Sequence, residues 1–543
     1  MKLTFLQLLI AFMLLLGLVL RLYRIDRLPP FNRDEASIGY NAYSLLKTGR
    51  DEWGVPWPLS FKSFGDYKMP GYLYASLLPV KLWGLHEITV RFWSVLAGLG
   101  TLGALYFLTR WLVAELKLNL TAQTHLPWLA VALHAVNPWH VFFSRVGFEA
   151  NLNLGLFLWG VTGLLYSAKH RPLFVGSALC FGLMFYTYSS SVIFLPLFLL
   201  VWGVILRRQL GKLDIWLGLG LAILVALSVH ASWSVWQVSQ AKTNITIFSD
   251  PSIIDRYHHL RSDTFATSPV WAKLWLNRPF FYGRLLASNY LKSFSPSFLI
   301  IKAGNHPWHQ IPGMGHFYWL DLGVMGAGLV ALLKLKQKTV TWLLASWLVL
   351  SPLPSAITVD APHATRMIQI VPAIILVLVL GWQFIWRQVT PWSRSVKRLI
   401  IGLGVGLYLF QIARFGYLFF VAYPQKLPWL LQGVDQALAW VRKEDPSRLV
   451  IFTQPYDYPY IYVVFYTRFD PAVFQQEAVW RVPNLANLTT VEEIGRFRFW
   501  EGVPKIKEKA FYVLPSYAGS PKEFTLKQQI LREGQVDWNI FAN

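Results

Sequence analysis

Residues 3–35 read LTFLQLLIAFMLLLGLVLRLYRIDRLPPFNRDE. Leu3 to Leu20 is an apolar run long enough to cross a bilayer as one helix. It lacks a small-residue cleavage site and is followed by Arg21-Leu-Tyr-Arg24, so it reads as a retained signal-anchor helix. The chain reaches Arg33-Asp34-Glu35 shortly afterwards. Carboxylates at the water edge of a membrane helix are expensive enough to need a reason. Acid–base chemistry on a substrate that arrives through the membrane is one.

Composition extends that reading to the whole chain. Of 543 residues, 55% are hydrophobic and only 14% charged, too few to cover a water-soluble surface of this size. The single Cys180 excludes an intramolecular disulfide and says nothing of redox compartment. Net charge is +22, but residues 423–543 hold 14 Lys+Arg against 13 Asp+Glu, so the excess belongs to the apolar part. Positive-inside loops and anionic headgroups account for such an excess, as would an anionic lipid-phosphate substrate. No basic stretch is hydrophilic enough to be a free arm, which argues against nucleic acid as a partner.

Hydropathy predicts an α-helical polytopic membrane protein with about eleven transmembrane helices. Their expected limits are 3–22, 88–112, 126–143, 150–168, 172–188, 190–206, 213–236, 316–333, 340–357, 367–386 and 399–421. Residues 71–84 suit a helix lying in the interface. Short loops bearing Arg110 and Lys117, Lys169 and Arg171, Arg207 and Arg208, Lys334 to Lys338, and Arg387 to Arg398 fall on one side, which is cytoplasmic by the positive-inside rule. The first loop, with eight basic and six acidic residues from Arg21 to Lys68, runs against this and is outvoted. The N-terminus is then cytoplasmic, and the first loop, the loop near 237–315 and the C-terminus are external. Residues 1–422 form the membrane domain and 423–543 a soluble external α/β domain. A helix is expected over 433–443, with strands at 448–453 and 510–514.

Three clusters of ionisable residues converge on the external side. The first is Arg33-Asp34-Glu35 with Asp66-Tyr67-Lys68. The second runs from Trp139-His140 through Arg145 to Glu149. The third is Asp360-Ala-Pro-His363-Ala-Thr365-Arg366. Any one of these residues, taken singly, reads as an ordinary rim residue snorkelling to water. Three mixed acid, histidine and arginine clusters on one face call for a shared chemistry.

In these residues the chain resembles the C-type membrane glycosyltransferases that use lipid-phosphate sugars. The likeness is greatest to bacterial relatives of the dolichyl-phosphate-mannose protein mannosyltransferases and lipid A aminoarabinose transferases. It is carried by Asp34-Glu35 after the first span, by Tyr67-Lys68-Met69-Pro70-Gly71-Tyr72, by Tyr186-Thr-Tyr188-Ser and by Pro362-His-Ala-Thr-Arg366. It covers residues 1–421 and not the tail.

The resemblance implies an inverting transfer of a sugar from a polyprenyl phosphate to an acceptor hydroxyl of a protein, lipid or glycan. It implies a multi-pass protein of the bacterial plasma membrane. An alcohol needs its proton removed as it attacks, so a carboxylate base is required; by family position that is Asp34. Glu35 would hold the acceptor, orient Asp34, or pair with Arg33. A departing phosphate needs cations, for which Lys68, Arg145 and Arg366 are the candidates, with His363 as hydrogen-bond donor. Arg33, Tyr67, His140 and Glu149 are candidates for substrate contact. Some relatives hold a divalent metal and others need none; Asp66, His306 and His309 are the candidate ligands. The rival readings are a transporter or flippase of lipid-linked sugars, which should show paired repeats or midspan charges, and an oligosaccharide ligase.

Overall fold

The computed structural model describes residues 5–239, 245–304, 306, 308–425, 433–453, 458–482, 489–500, 509–518, 524–532 and 535–542. The chain divides into two compact units. One holds residues 1–23, 94–145 and 149–423, and the other 24–93, 146–148 and 424–543.

The first unit is helical. Among the described residues, six helices are long and apolar enough to cross a membrane: Glu87–Glu115, Ser191–Leu210, Ile215–Trp233, Lys338–Ala356, Ile370–Val389 and Arg394–Ala422. Shorter apolar helices span Gln7–Leu22, Leu173–Thr187 and Trp319–Leu333. The chain is an integral membrane protein. Its helices associate where small residues let backbones meet, because lipid offers no hydrophobic drive between them. A Cβ on Gly328 would stand 2.1 Å from the carbonyl oxygen of Val377, and one on Gly381 would stand 2.1 Å from that of Val324. The Trp319–Leu333 and Ile370–Val389 helices therefore touch backbone to backbone.

Proline redraws one of the expected spans and interrupts another. The stretch 126–143 is two helices, Leu120–Ala135 and Pro138–Ser144; Asn137 caps the second by accepting from the His140 N–H. Pro352 only interrupts the Lys338–Ala356 span, between Lys338–Leu350 and Leu353–Ala356, which keeps the expected limits of 340–357. The long loop contains the helices Pro251–Thr267, Pro269–Trp275 and Arg278–Lys292. Asp250 and Asn277 cap the first and third, each with proline at the start of the helix, a signal present in the sequence.

The second unit combines helices with strands. Helices Arg33–Thr48 and Gly71–Trp83 flank a hairpin of β1 (Phe61–Ser63) and β2 (Asp66–Lys68). Its turn residues, Phe64 (φ 56°) and Gly65 (φ 100°), both take positive φ, as a two-residue hairpin with the natural strand twist demands. Phe64 is held there by stacking on Tyr458 at 4.4 Å.

The tail contributes β3 (Leu449–Thr453), β4 (Val479–Trp480), β5 (Val491–Ile494), β6 (Phe497–Trp500), β7 (Ala510–Pro515), β8 (Thr525–Arg532) and β9 (Gln535–Ala542). They form one sheet in the order β4-β5-β6-β3-β7-β9-β8. β3 runs parallel to β6 and β7 and the other pairs are antiparallel. Central β7 is buried throughout, and Ile451, Tyr512, Leu514 and Phe541 share a core. The Arg33–Thr48 helix packs on the tail helix Pro459–Thr467 at Gly39, where a Cβ would meet the Phe465 ring at 2.6 Å. Trp53 stacks on Trp480 at 3.7 Å beside that contact.

Candidate functional site

Asn32 and Glu35 build the start of the Arg33–Thr48 helix. The Asn32 Oδ1 accepts from the N–H of Asp34 (3.0 Å) and of Glu35 (3.1 Å). Glu35 Oε2 reaches back to accept from the Asn32 N–H (3.2 Å) and Nδ2 (2.8 Å), completing a capping box. The carboxylates of the first turn gain from the helix dipole.

This cap separates the two acids. Glu35 is fully buried: its Oε1 accepts from Arg91 Nε (2.7 Å) and the Gly147 N–H (2.8 Å), and its Oε2 from Arg91 Nη2 (2.9 Å). Arg91 also donates to the carbonyls of Ile25 (2.7 Å) and Pro29 (2.8 Å). Of the alternatives for Glu35, the pairing with Arg33 is replaced by this one, and Arg33 instead lies over the Tyr458 ring at 4.7 Å. Arg91 was not singled out in the sequence, since its partner lies 56 residues away. The only sequence hint was its being an arginine on the first turns of an otherwise apolar helix.

Asp34 stays accessible, with its side chain 24% exposed, and pairs with Lys68 Nζ at 2.7 Å. The hairpin brings Lys68 there as the last residue of β2, with Tyr67 partly exposed beside it. Asp66 is exposed, and its carboxylate accepts from the Tyr67 N–H. Nearby Glu52 is buried, and accepts from Asn41 Nδ2 (3.0 Å) and Tyr460 OH (3.2 Å). Burial pushes its carboxyl up to about 8.

The first unit holds a second cluster, in the segment between Ala356 and Ile370. Asn289 Nδ2 donates to the carbonyls of Ala356 and Thr358, and Ser355 Oγ accepts from the His363 N–H at 2.7 Å. Arg366 donates to Thr358 Oγ1 (2.7 Å) and forms a close ion pair with Asp360. His363 Nε2 lies 3.4 Å from Asp360 Oδ2, and its Nδ1 is 2.9 Å from Thr365 Oγ1, which also accepts from the Tyr188 hydroxyl at 2.7 Å. Burial pulls the Asp360 carboxyl up, but the fields of His363 and Arg366 outweigh it and hold the group below its usual range. Burial, then the Arg366 charge, holds the His363 imidazole well below its usual value, so it is neutral at pH 7.

His306 and His309 join this cluster; neighbouring Asn305 and Pro307 lie outside the described residues. The two rings stack at 3.9 Å and stand 5.1 and 4.8 Å from the ring of His363.

The second cluster expected from the sequence is spent on packing. Arg145 is fully buried, donates to the carbonyls of Leu20 (2.5 Å) and Tyr23 (2.6 Å), and lies over the Phe419 and Phe420 rings. It thereby caps the C-terminal end of the first helix. His140 is buried, stacked on His134 at 3.8 Å, with its ring nitrogens bonded to Arg21 (2.7 Å) and Thr101 (3.0 Å). Glu149 opens the Glu149–Tyr166 helix, half-buried and near enough to act on the Tyr188 hydroxyl. Tyr186 donates to the Leu227 carbonyl (3.1 Å) and contacts His230 Nδ1 (2.7 Å). An apolar groove of about 680 Å³, lined from Ala222 to Trp233, follows that helix face and includes neither carboxylate.

No protein-family model matches the chain, and no curated protein is similar to it. Solved structures are similar in fold. The apo structure of ArnT from Cupriavidus metallidurans superposes with a TM-score of 0.52 at 14% identity, over 98% of this chain and 97% of that one. The same protein bound to undecaprenyl phosphate gives 0.49 at 13% identity, over 98% and 97%. The Archaeoglobus fulgidus oligosaccharyltransferase tethered to an acceptor peptide gives 0.48 at 11%, over 84% of this chain and 62% of that one. These neighbours are C-type membrane glycosyltransferases. The chain has the ArnT fold across nearly its whole length; at such identities the likeness is one of fold.

Proposed function

We propose that the protein is an inverting membrane glycosyltransferase that moves a sugar from a polyprenyl-phosphate donor to an acceptor hydroxyl. The observation that carries this reading is the Asp34–Lys68 pair, 2.7 Å apart, at the start of a capped helix in a chain of ArnT-like fold. Asp34 takes the proton of the acceptor hydroxyl as its oxygen attacks the anomeric carbon. The bond to the phosphate oxygen breaks on the opposite face, and the pair of electrons leaves with the phosphate. Lys68, ion-paired with Asp34, is the first cation for the leaving group. Arg366, with His363, is assigned to donor phosphate. Glu35 positions the helix that carries Asp34 and, pinned by Arg91, does not meet the acceptor.

The topology that goes with this reading is about eleven spans, with the N-terminus cytoplasmic and the tail from 423 external. A reporter active only in the cytoplasm, fused after Asn543, should then stay silent; strong activity there would invert the chain. The donor assignment is tested by turnover. The purified protein should use a polyprenyl-phosphate sugar and not a nucleotide sugar, and efficient turnover of the latter without lipid would overturn it.

A further inference from the structure

We propose that His306, His309, His363 and Asp360 form a binding site for a zinc-class divalent cation that ties His306 and His309 to the 357–369 segment. The three imidazoles come from two separate stretches of one unit, and one ligand atom from each lies within 4.8 Å of the others. A turn sets the first two: the His309 N–H donates to the His306 carbonyl at 3.2 Å, which places both rings on the same side. His363 is oriented by a different device. Its backbone N–H is held by Ser355, and its Nδ1 faces Thr365 Oγ1. That oxygen has a lone pair for an Nδ1–H as well as for the Tyr188 hydroxyl. The Nδ1–H tautomer leaves the Nε2 lone pair for a metal, the outer-shell arrangement that metal-binding histidines generally show.

Asp360 supplies the fourth donor. Its Oδ2 stands 3.4 Å from His363 Nε2, about the spacing of two adjacent ligands around a tetrahedral ion whose bonds are roughly 2.0–2.1 Å long. Its other oxygen is bonded by Arg366, which fixes the carboxylate plane. The donor set selects the ion. Three imidazoles and one carboxylate suit zinc and its neighbours, whereas magnesium and calcium demand oxygen. Closing the ring of donors needs the imidazole spacing of up to 4.8 Å to shorten, by side-chain rotation, toward the roughly 3.4 Å of ligands around a tetrahedral ion. Only direct metal uptake is invoked, so the test does not depend on turnover; with the ion bound, His363 Nε2 serves the ion and Arg366 alone is left for donor phosphate.

The test uses the full chain in detergent, stripped with chelator. Equilibrium zinc binding should show one ion per chain at micromolar or lower concentration, unaffected by excess magnesium, with a rise in melting temperature. Cobalt at the same site should give the intense visible bands of a tetrahedral ion. The double change His306→Gln with His309→Gln should abolish uptake, and Asp360→Asn should weaken it roughly 10–100-fold. Failure of the unaltered chain to take up stoichiometric zinc, an octahedral cobalt spectrum, or undiminished uptake by the double variant would each overturn the site.

Discussion

Asp34 and Glu35 are neighbours in sequence and opposites in setting. One is paired with a half-buried lysine and open to solvent; the other is sealed beneath an arginine whose donors also clasp two backbone carbonyls. The difference arises from helix geometry. The third residue of a capped helix folds back on the cap, while the second points away from it. Two acids of like chemistry thus become a candidate base and a structural anchor, and substitutions at each should fail in different ways.

The largest effect is expected at Asp34. Asp34→Asn should lower sugar transfer by roughly 10²–10⁴-fold, the usual contribution of a general base, with little change in melting temperature. A well-folded Asp34→Asn enzyme with near wild-type turnover would erase the distinction between the two acids. Arg91→Ala should act the other way, costing roughly 3–5 kcal/mol of stability because it strands a buried carboxylate. Chemical denaturation of detergent-solubilised protein measures this, and an unchanged midpoint would show that Glu35 is not an anchor. Arg366→Ala should raise the KM for lipid donor about tenfold or more, the worth of one charged hydrogen bond of roughly 1.5–3 kcal/mol. Unaltered donor kinetics would remove Arg366 from the reaction.

The effect that is smallest per unit of the variable scanned concerns Glu52. Its carboxyl binds a proton more tightly folded, with a value near 8 against 4.5 for the free group. Its contribution to stability is therefore greatest below about 4.5, falls as pH rises toward 8 and is flat above, with a slope of at most about 1.4 kcal/mol per pH unit. Glu52→Gln should flatten that slope in a pH series of denaturation midpoints. A profile as steep in the variant as in the parent would assign the pH dependence elsewhere.

Hydropathy and residue pattern were enough to read several helices and two of the strands closely. The expected 150–168 and 172–188 became Glu149–Tyr166 and Leu173–Thr187, and the strand at 510–514 became Ala510–Pro515. It misjudged the place where proline interrupts an apolar run at Pro138, because a window average does not register a missing N–H. The acidic pair was visible as a pair, but not which member was buried. That depended on Arg91 and on the Gly147 N–H, contacts that span 56 and 112 residues. Arg145 and His140 looked like substrate ligands for the same reason: a sequence shows charge, not whether carbonyls and other rings already consume it.

The hairpin that carries Lys68 has one further consequence. Its turn residue Phe64 rests on Tyr458, its carbonyl accepts from the Thr489 N–H, and Trp53 beside it lies flat on Trp480. The tail is therefore no detachable accessory. A chimera that exchanged residues 424–543 for another domain would have to bring its own replacements for Tyr458, Phe465 and Trp480, or leave the lysine on a hairpin without a floor. Drift in the tail sequence is thus tethered, through three aromatic rings, to the placement of one ammonium group.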